Sequence, residues 1–157
     1  GPGLVGLSYE GLPWFTGAAV LLGAAPRFEV VMVALLYALG AHGIMTLNDF
    51  KAIEGDRRMG VASLPVQLGA QGAARSACLF MGLSQLAVAA LLFYWQLNGH
   101  ALAVLLLCFM QWPLMSRFLN HPVERALHLS AFGVPLFVSG MMVSAWGLRQ
   151  LNPMGLA

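Results

Sequence analysis

The stretch VVMVALLYALGAHGIMTLNDFKAIEGDRRMG, residues 30–60, decides how the chain is read. Its first eighteen residues contain no Asp, Glu, Lys or Arg. The ten positions from Asp49 to Arg58 then gather Asp49, Lys51, Glu54, Asp56, Arg57 and Arg58, six of the fourteen such residues in the whole chain. An uncharged run of this length predicts a helix that crosses a bilayer, and the sudden charge marks the point where the chain leaves it.

Working outward, the same texture continues. Hydrophobic residues make up 59% of the 157 and charged residues 9%, with a mean hydropathy of +0.77. Soluble domains run near 45–50% apolar and about 25% charged. The chain is therefore an integral membrane protein in contact with lipid. Five spans are expected, over about 4–25, 28–47, 73–97, 101–118 and 127–148, with a polar insert at 48–71. In lipid every backbone group must be paired within its own segment, and runs this long and continuously apolar are not barrel strands. The fold class is an all-α membrane bundle of about five transmembrane helices.

A net charge of +2, spread among apolar segments, is no basic footprint, and nucleic acid is excluded as a partner. Cys78 and Cys108 stand alone in separate apolar runs without metal-ligand spacing, and read as small packing residues. The opening GPGLVGLSYEG lacks both an initiating Met and the pattern of a signal peptide, so the chain is expected to open in mid-protein. Lys51, Arg57, Arg58, Arg75, Arg117 and Arg125 fall near span ends on one side, Arg27 and Arg149 on the other. That bias puts the insert on the cytoplasmic side.

Asp49 and Asp56 are seven residues apart, two turns less about 20° on a continuous helix, so both carboxylates are expected on one stripe, with His42 and Thr46 below them. With the Asn48 amide they form an oxygen-rich set suited to Mg²⁺, which takes few protein ligands and completes its shell with water and phosphate. Lys51, Arg57 and Arg58 would repel a bare cation. They fit a metal that carries a polyphosphate, whose remaining anionic oxygens they would hold. A diphosphate at the mouth of an apolar bundle implies an isoprenoid tail inside it. The bland alternative is a charged cytoplasmic loop whose acids and bases merely neutralise one another.

The longer string GAHGIMTLNDFKAIEGDRRMGVASLPVQLG, and within it NDFK, EGDR and SLPV, resembles the second aspartate-rich segment of the UbiA-type intramembrane prenyltransferases, in their chlorophyll and bacteriochlorophyll synthase branch. GLSYEGLPWFTGAA and GMMVSAWGLR resemble that branch too, so the likeness runs nearly the whole chain. It implies a nine-helix fold with two aspartate-rich motifs, of which this chain would be helices five to nine. It also implies Mg²⁺-dependent transfer of a geranylgeranyl or phytyl group from its diphosphate to the ring-D propionate of a (bacterio)chlorophyllide, in a bacterial inner photosynthetic membrane. Asp49 and Asp56 match the outer acids of the second motif. Ala52 stands where many relatives carry a middle Asp, which makes Glu54 a candidate third ligand. The first motif has no counterpart here, and the chain alone is expected to be inactive.

Within that reading Asp49, Asp56 and Lys51 are the catalytic candidates, and Asn48, Lys51, Arg57, Arg58, Glu10 and His42 the substrate-binding ones. Glu10 qualifies because an acid in an apolar span is costly. His42 could bond a substrate or simply pair between helices. Two other functions compete: prenylation of a quinone or haem precursor, against which the EGDR and SLPV context argues, and a transporter module. Transport pathways usually leave charge inside several spans, whereas here it gathers at one mouth.

Overall fold

The computed structural model describes residues 2–151, all of whose regular structure is helical. The order is α1 (Pro2–Gly6), a π-helical turn (Leu7–Gly11), α2 (Leu12–Leu22), α3 (Phe28–Asp49), α4 (Ile53–Met59), α5 (Leu64–Tyr94), α6 (Asn98–Asn120), α7 (Pro122–His128), a second π-helical turn (Leu129–Gly133) and α8 (Val134–Gln150). Four stretches are long and apolar enough to cross a membrane: Phe28–Asp49, Leu64–Tyr94, Asn98–Asn120 and Pro122–Gln150. The expected first span is helical from α1 through α2 but is not among the four. The helix runs on through the π turn, but Ser8, Tyr9 and Glu10 there make this stretch less apolar than the four spans.

The expected boundaries shift at the end of the insert and at the start of the last span. α5 begins at Leu64, inside the segment read as an insert, yet Gly69 (φ 71, ψ 164) breaks it into a short turn before residue 70 and a long membrane helix after it. That backbone conformation is open essentially to glycine alone. At the C-terminal end, α7, the second π turn and α8 run on through right-handed helical junctions as one span.

Lipid tails are as apolar as leucine, so helices in a membrane associate through close backbone approach rather than through hydrophobic burial. α3 and α5 achieve this with small residues. A Cβ on Gly43 would lie 2.5 Å from the Ala77 carbonyl oxygen, and one on Gly40 would collide with Ser84 and Phe137. Ala73, Ala74 and Ala77 are fully buried along the facing side of α5. Nearer the bundle centre, polar side chains tie helices together in pairs. Tyr37 on α3 shares a 2.9 Å hydrogen bond with Ser144 on α8, and Gln111 on α6 donates to Gln85 on α5 at 3.1 Å.

The ends are fastened as well. Arg27 donates to the Leu151 carbonyl at 2.9 Å and pairs with Glu29, which holds the α2–α3 link beside the end of α8. At the opposite end Gln71 donates to the Leu119 carbonyl at 2.9 Å, and the Phe50 and Phe118 rings meet edge to face at 5.2 Å. The break after α3, the start of α5 and the end of α6 therefore share one mouth.

Gly43→Val should destabilise the bundle by about 1–3 kcal/mol through overpacking against Ala77. Gly82→Ala, at a position where a Cβ meets nothing within 4 Å, should not. Thermal melting of both variants in one detergent checks the contrast.

Candidate functional site at the helix mouth

α3 ends at Asp49, and residues 50–52 turn before α4 begins at Ile53. The turn is closed by Lys51 N–H donating to the Asn48 carbonyl at 3.2 Å and Ala52 N–H to that of Asp49 at 3.1 Å. The break falls at Phe50, whose ring is buried edge to face against Phe118. The expected common stripe on one helix is thus corrected, since Asp49 and Asp56 belong to different helices. Both carboxylates are nevertheless half-buried and close enough for their charges to act on one another.

Bases flank the pair in sequence, yet none is joined to it. The ion pairs among the described residues are Arg27–Glu29 and Arg58–Glu54, so neither Asp49 nor Asp56 has a basic partner. The Leu64 backbone N–H, at the start of α5, faces the Asp49 carboxylate. One residue earlier, the Ser63 hydroxyl is buried with no hydrogen-bond partner among the described residues. An unpaired buried hydroxyl is uncommon and marks a place where a polar group is wanted. Ser63 was legible only as part of the SLPV string, because nothing in the sequence showed that α5 would start early enough to bring it to the mouth.

The other candidates divide. Lys51, Arg57 and Asn48 are exposed at the same mouth, free to meet an anion arriving there. Arg58 is held by Glu54 at 3.0 Å on the outer face of α4, where both side chains are more than two-thirds exposed. Glu54 is therefore turned toward Arg58 and solvent rather than joined to the aspartates, and no group of three acid, His or Cys side chains suited to a metal occurs among the described residues. His42 is half-buried, edge-on to Phe80 at 4.7 Å, and within electrostatic range of Asp49. Glu10 lies deeper. The adjacent Gly11 packs on Ala38, eleven residues before Asp49, which on a helix is about 16 Å along α3.

Residues 3–139 match the UbiA prenyltransferase family. The chain belongs to this family. Among relatives of this UbiA-family chain, the bacteriochlorophyll synthase 33 kDa chain of Rhodobacter capsulatus is 54% identical over 152 residues, 95% of this chain and 50% of the relative. The bacteriochlorophyll synthase 34 kDa chain of Chloroflexus aurantiacus is 45% identical over 94% of this chain and 47% of its own. The chloroplastic chlorophyll synthase of Avena sativa is 39% identical over 90% of this chain and 37% of its own. The UbiA-family chain thus spans about half the length of the curated bacterial relatives it matches. No solved structure matches it.

The shape of the mouth depends on Gly69, which turns the first residues of α5 toward Asp49. Gly69→Ala should cost about 1–3 kcal/mol for its forbidden backbone conformation. Gly55→Ala, at an open helical position of α4, should be neutral or stabilise by up to about 1 kcal/mol. Thermal midpoints, together with protease cutting within 53–68, distinguish the two.

Proposed function

We propose that this chain provides the second acidic half-site of a (bacterio)chlorophyll synthase, which joins a geranylgeranyl or phytyl group from its diphosphate to the ring-D propionate of a (bacterio)chlorophyllide. The observation that carries the reading is the Asp49–Asp56 pair, which has no ion-pair partner among the described residues, in a chain 54% identical over 95% of its length to a bacteriochlorophyll synthase chain. The mouth would face the cytoplasm, as the Lys and Arg bias predicts.

A divalent cation, Mg²⁺ by its preference for hard oxygen, fits this donor set. Two half-buried carboxylates left near one another without a base repel unless a cation lies between them, and Mg²⁺ accepts one or two carboxylates when phosphate oxygens complete its shell. Asp49 and Asp56 would hold it, and bound there it would neutralise charge gathering on the departing diphosphate.

The chain's own residues do the rest. Lys51 and Arg57, exposed at the mouth and in no ion pair among the described residues, hold diphosphate oxygens that the carboxylates would otherwise repel. Ser63 can donate its hydroxyl proton to another such oxygen. The apolar bundle below takes the isoprenoid tail. The propionate oxygen attacks the allylic carbon as the carbon–oxygen bond to the diphosphate breaks, and that electron pair leaves with the diphosphate. The acceptor carboxylate is already ionised at neutral pH, so no strong general base is required. Glu54 and Arg58 stay paired on the outer face of α4 and take little part.

In the full-length protein, Asp49→Asn and Asp56→Asn should each lower esterification of chlorophyllide by about 10²-fold or more and raise the Mg²⁺ concentration needed for half activity. Glu54→Ala should stay within about threefold of the parent. Pigment esterification followed by chromatography across a Mg²⁺ titration reads all three; full activity in either Asp variant refutes the assignment.

A further inference from the structure

On the side of α5 away from α3, a groove of about 640 Å³ runs between α5 and α6. Arg75 and Ser116 stand at its mouth end, Gly82 and Leu86 line its α5 wall, and Phe109 and Trp112 its α6 wall. Arg75 and Leu86 are eleven residues apart, so the groove descends about 16 Å along α5, roughly half of a ~30 Å hydrocarbon core. Its interior is recessed by small residues. Cys78 and Cys108 are half-buried, and Gly82 has no atom within 4 Å of where its Cβ would stand, while Phe109 and Trp112 project outward at 75% and 69% exposure.

The polar end is positive. Arg75 is exposed and makes no ion pair among the described residues, and Arg117 lies in the last turn of α6 at the same end. None of these residues belongs to the acidic mouth, and Gln71 closes α5 onto α6 above them. A narrow apolar cleft that opens at headgroup level beside an unpaired guanidinium is complementary to one kind of molecule: an apolar chain with an anionic phosphate at its end. Guanidinium matches phosphate in two-point geometry, and basic pockets between transmembrane helices are a recurrent seat for anionic headgroups.

We propose that the α5–α6 groove is a binding site for an anionic phospholipid, with its phosphate on Arg75 and one acyl chain laid past Gly82. The site is separate from the acidic pair and does not depend on what reaction occurs there. Occupancy fills a cleft that the helices leave open and fastens α5 to α6.

The test is native mass spectrometry of the full-length protein in micelles doped with phosphatidylglycerol or with phosphatidylcholine of the same acyl chains. The parent should retain one phosphatidylglycerol with about fivefold or greater preference. Arg75→Ala should reduce retention to the phosphatidylcholine level, and Arg75→Lys should restore part of the preference. Gly82→Leu, which plugs the groove where there is space for it, should weaken retention of both lipids at an unchanged melting temperature. Gly82→Val repeats the plug if the leucine variant fails to assemble. Equal retention of the two lipids by the parent overturns the proposal. So does retention that ignores both plugs, which would mean ordinary lipid around the bundle, or a groove covered by other protein.

Discussion

Everything at the acidic mouth depends on how closely α3 approaches α5. The contact is made by what is missing: without side chains on Gly40 and Gly43, the α3 backbone lies directly on Ala77, Ser84 and their neighbours. In a bilayer no water is released by pressing two apolar helices together, so this shape match, helped by the Tyr37–Ser144 and Gln85–Gln111 hydrogen bonds, is what selects one arrangement. Once α3 and α5 are locked, the end of the first and the start of the second must meet. Asp49 is then left facing the Leu64 N–H and the buried Ser63 hydroxyl.

The mouth concentrates charge without cancelling it. A loop whose only task was solubility would be expected to pair its acids with its bases, and Glu54 with Arg58 does so on the outer face. Asp49 and Asp56 do not. They are half-buried, set near one another, and among the described residues form no ion pair with Lys51, Arg57 or Arg58, which stand only one or two positions away along the chain. Keeping two carboxylates in that state costs free energy, and a bound cation removes the cost. The separation of roles along ten residues, with acids inward and Lys51 and Arg57 outward, suits an anion that arrives already carrying its metal.

Much of this was legible in the sequence because membrane burial writes a coarse signal. The uncharged run before Asn48 gave α3, the break expected between spans 73–97 and 101–118 lies three residues earlier, at 95–97, and the aspartates were found by their place in a charged decade. The finer features had no periodic signature. A π turn adds one residue to a helix without altering its composition, so Leu129–Gly133 could not be told from ordinary helix. The break falls at Phe50, whose ring meets Phe118 sixty-eight positions away, a long-range contact that local propensity does not reveal. The aspartates were therefore expected together for the wrong geometric reason: a tertiary turn, not helical register, joins them. Gly69 lies inside the expected insert at 48–71, and the backbone break it makes in α5 needed coordinates.

The central claim is that Asp49 and Asp56 act as one unit on a shared cation. Its most direct test is a double-mutant cycle on Mn²⁺ binding, followed by electron paramagnetic resonance, in the full-length protein with an unreactive prenyl thiodiphosphate present. If the two carboxylates grip one ion, Asp49→Asn and Asp56→Asn combined should weaken binding little more than either change alone. Losses that simply add, or a double variant that binds Mn²⁺ like the parent, would contradict it.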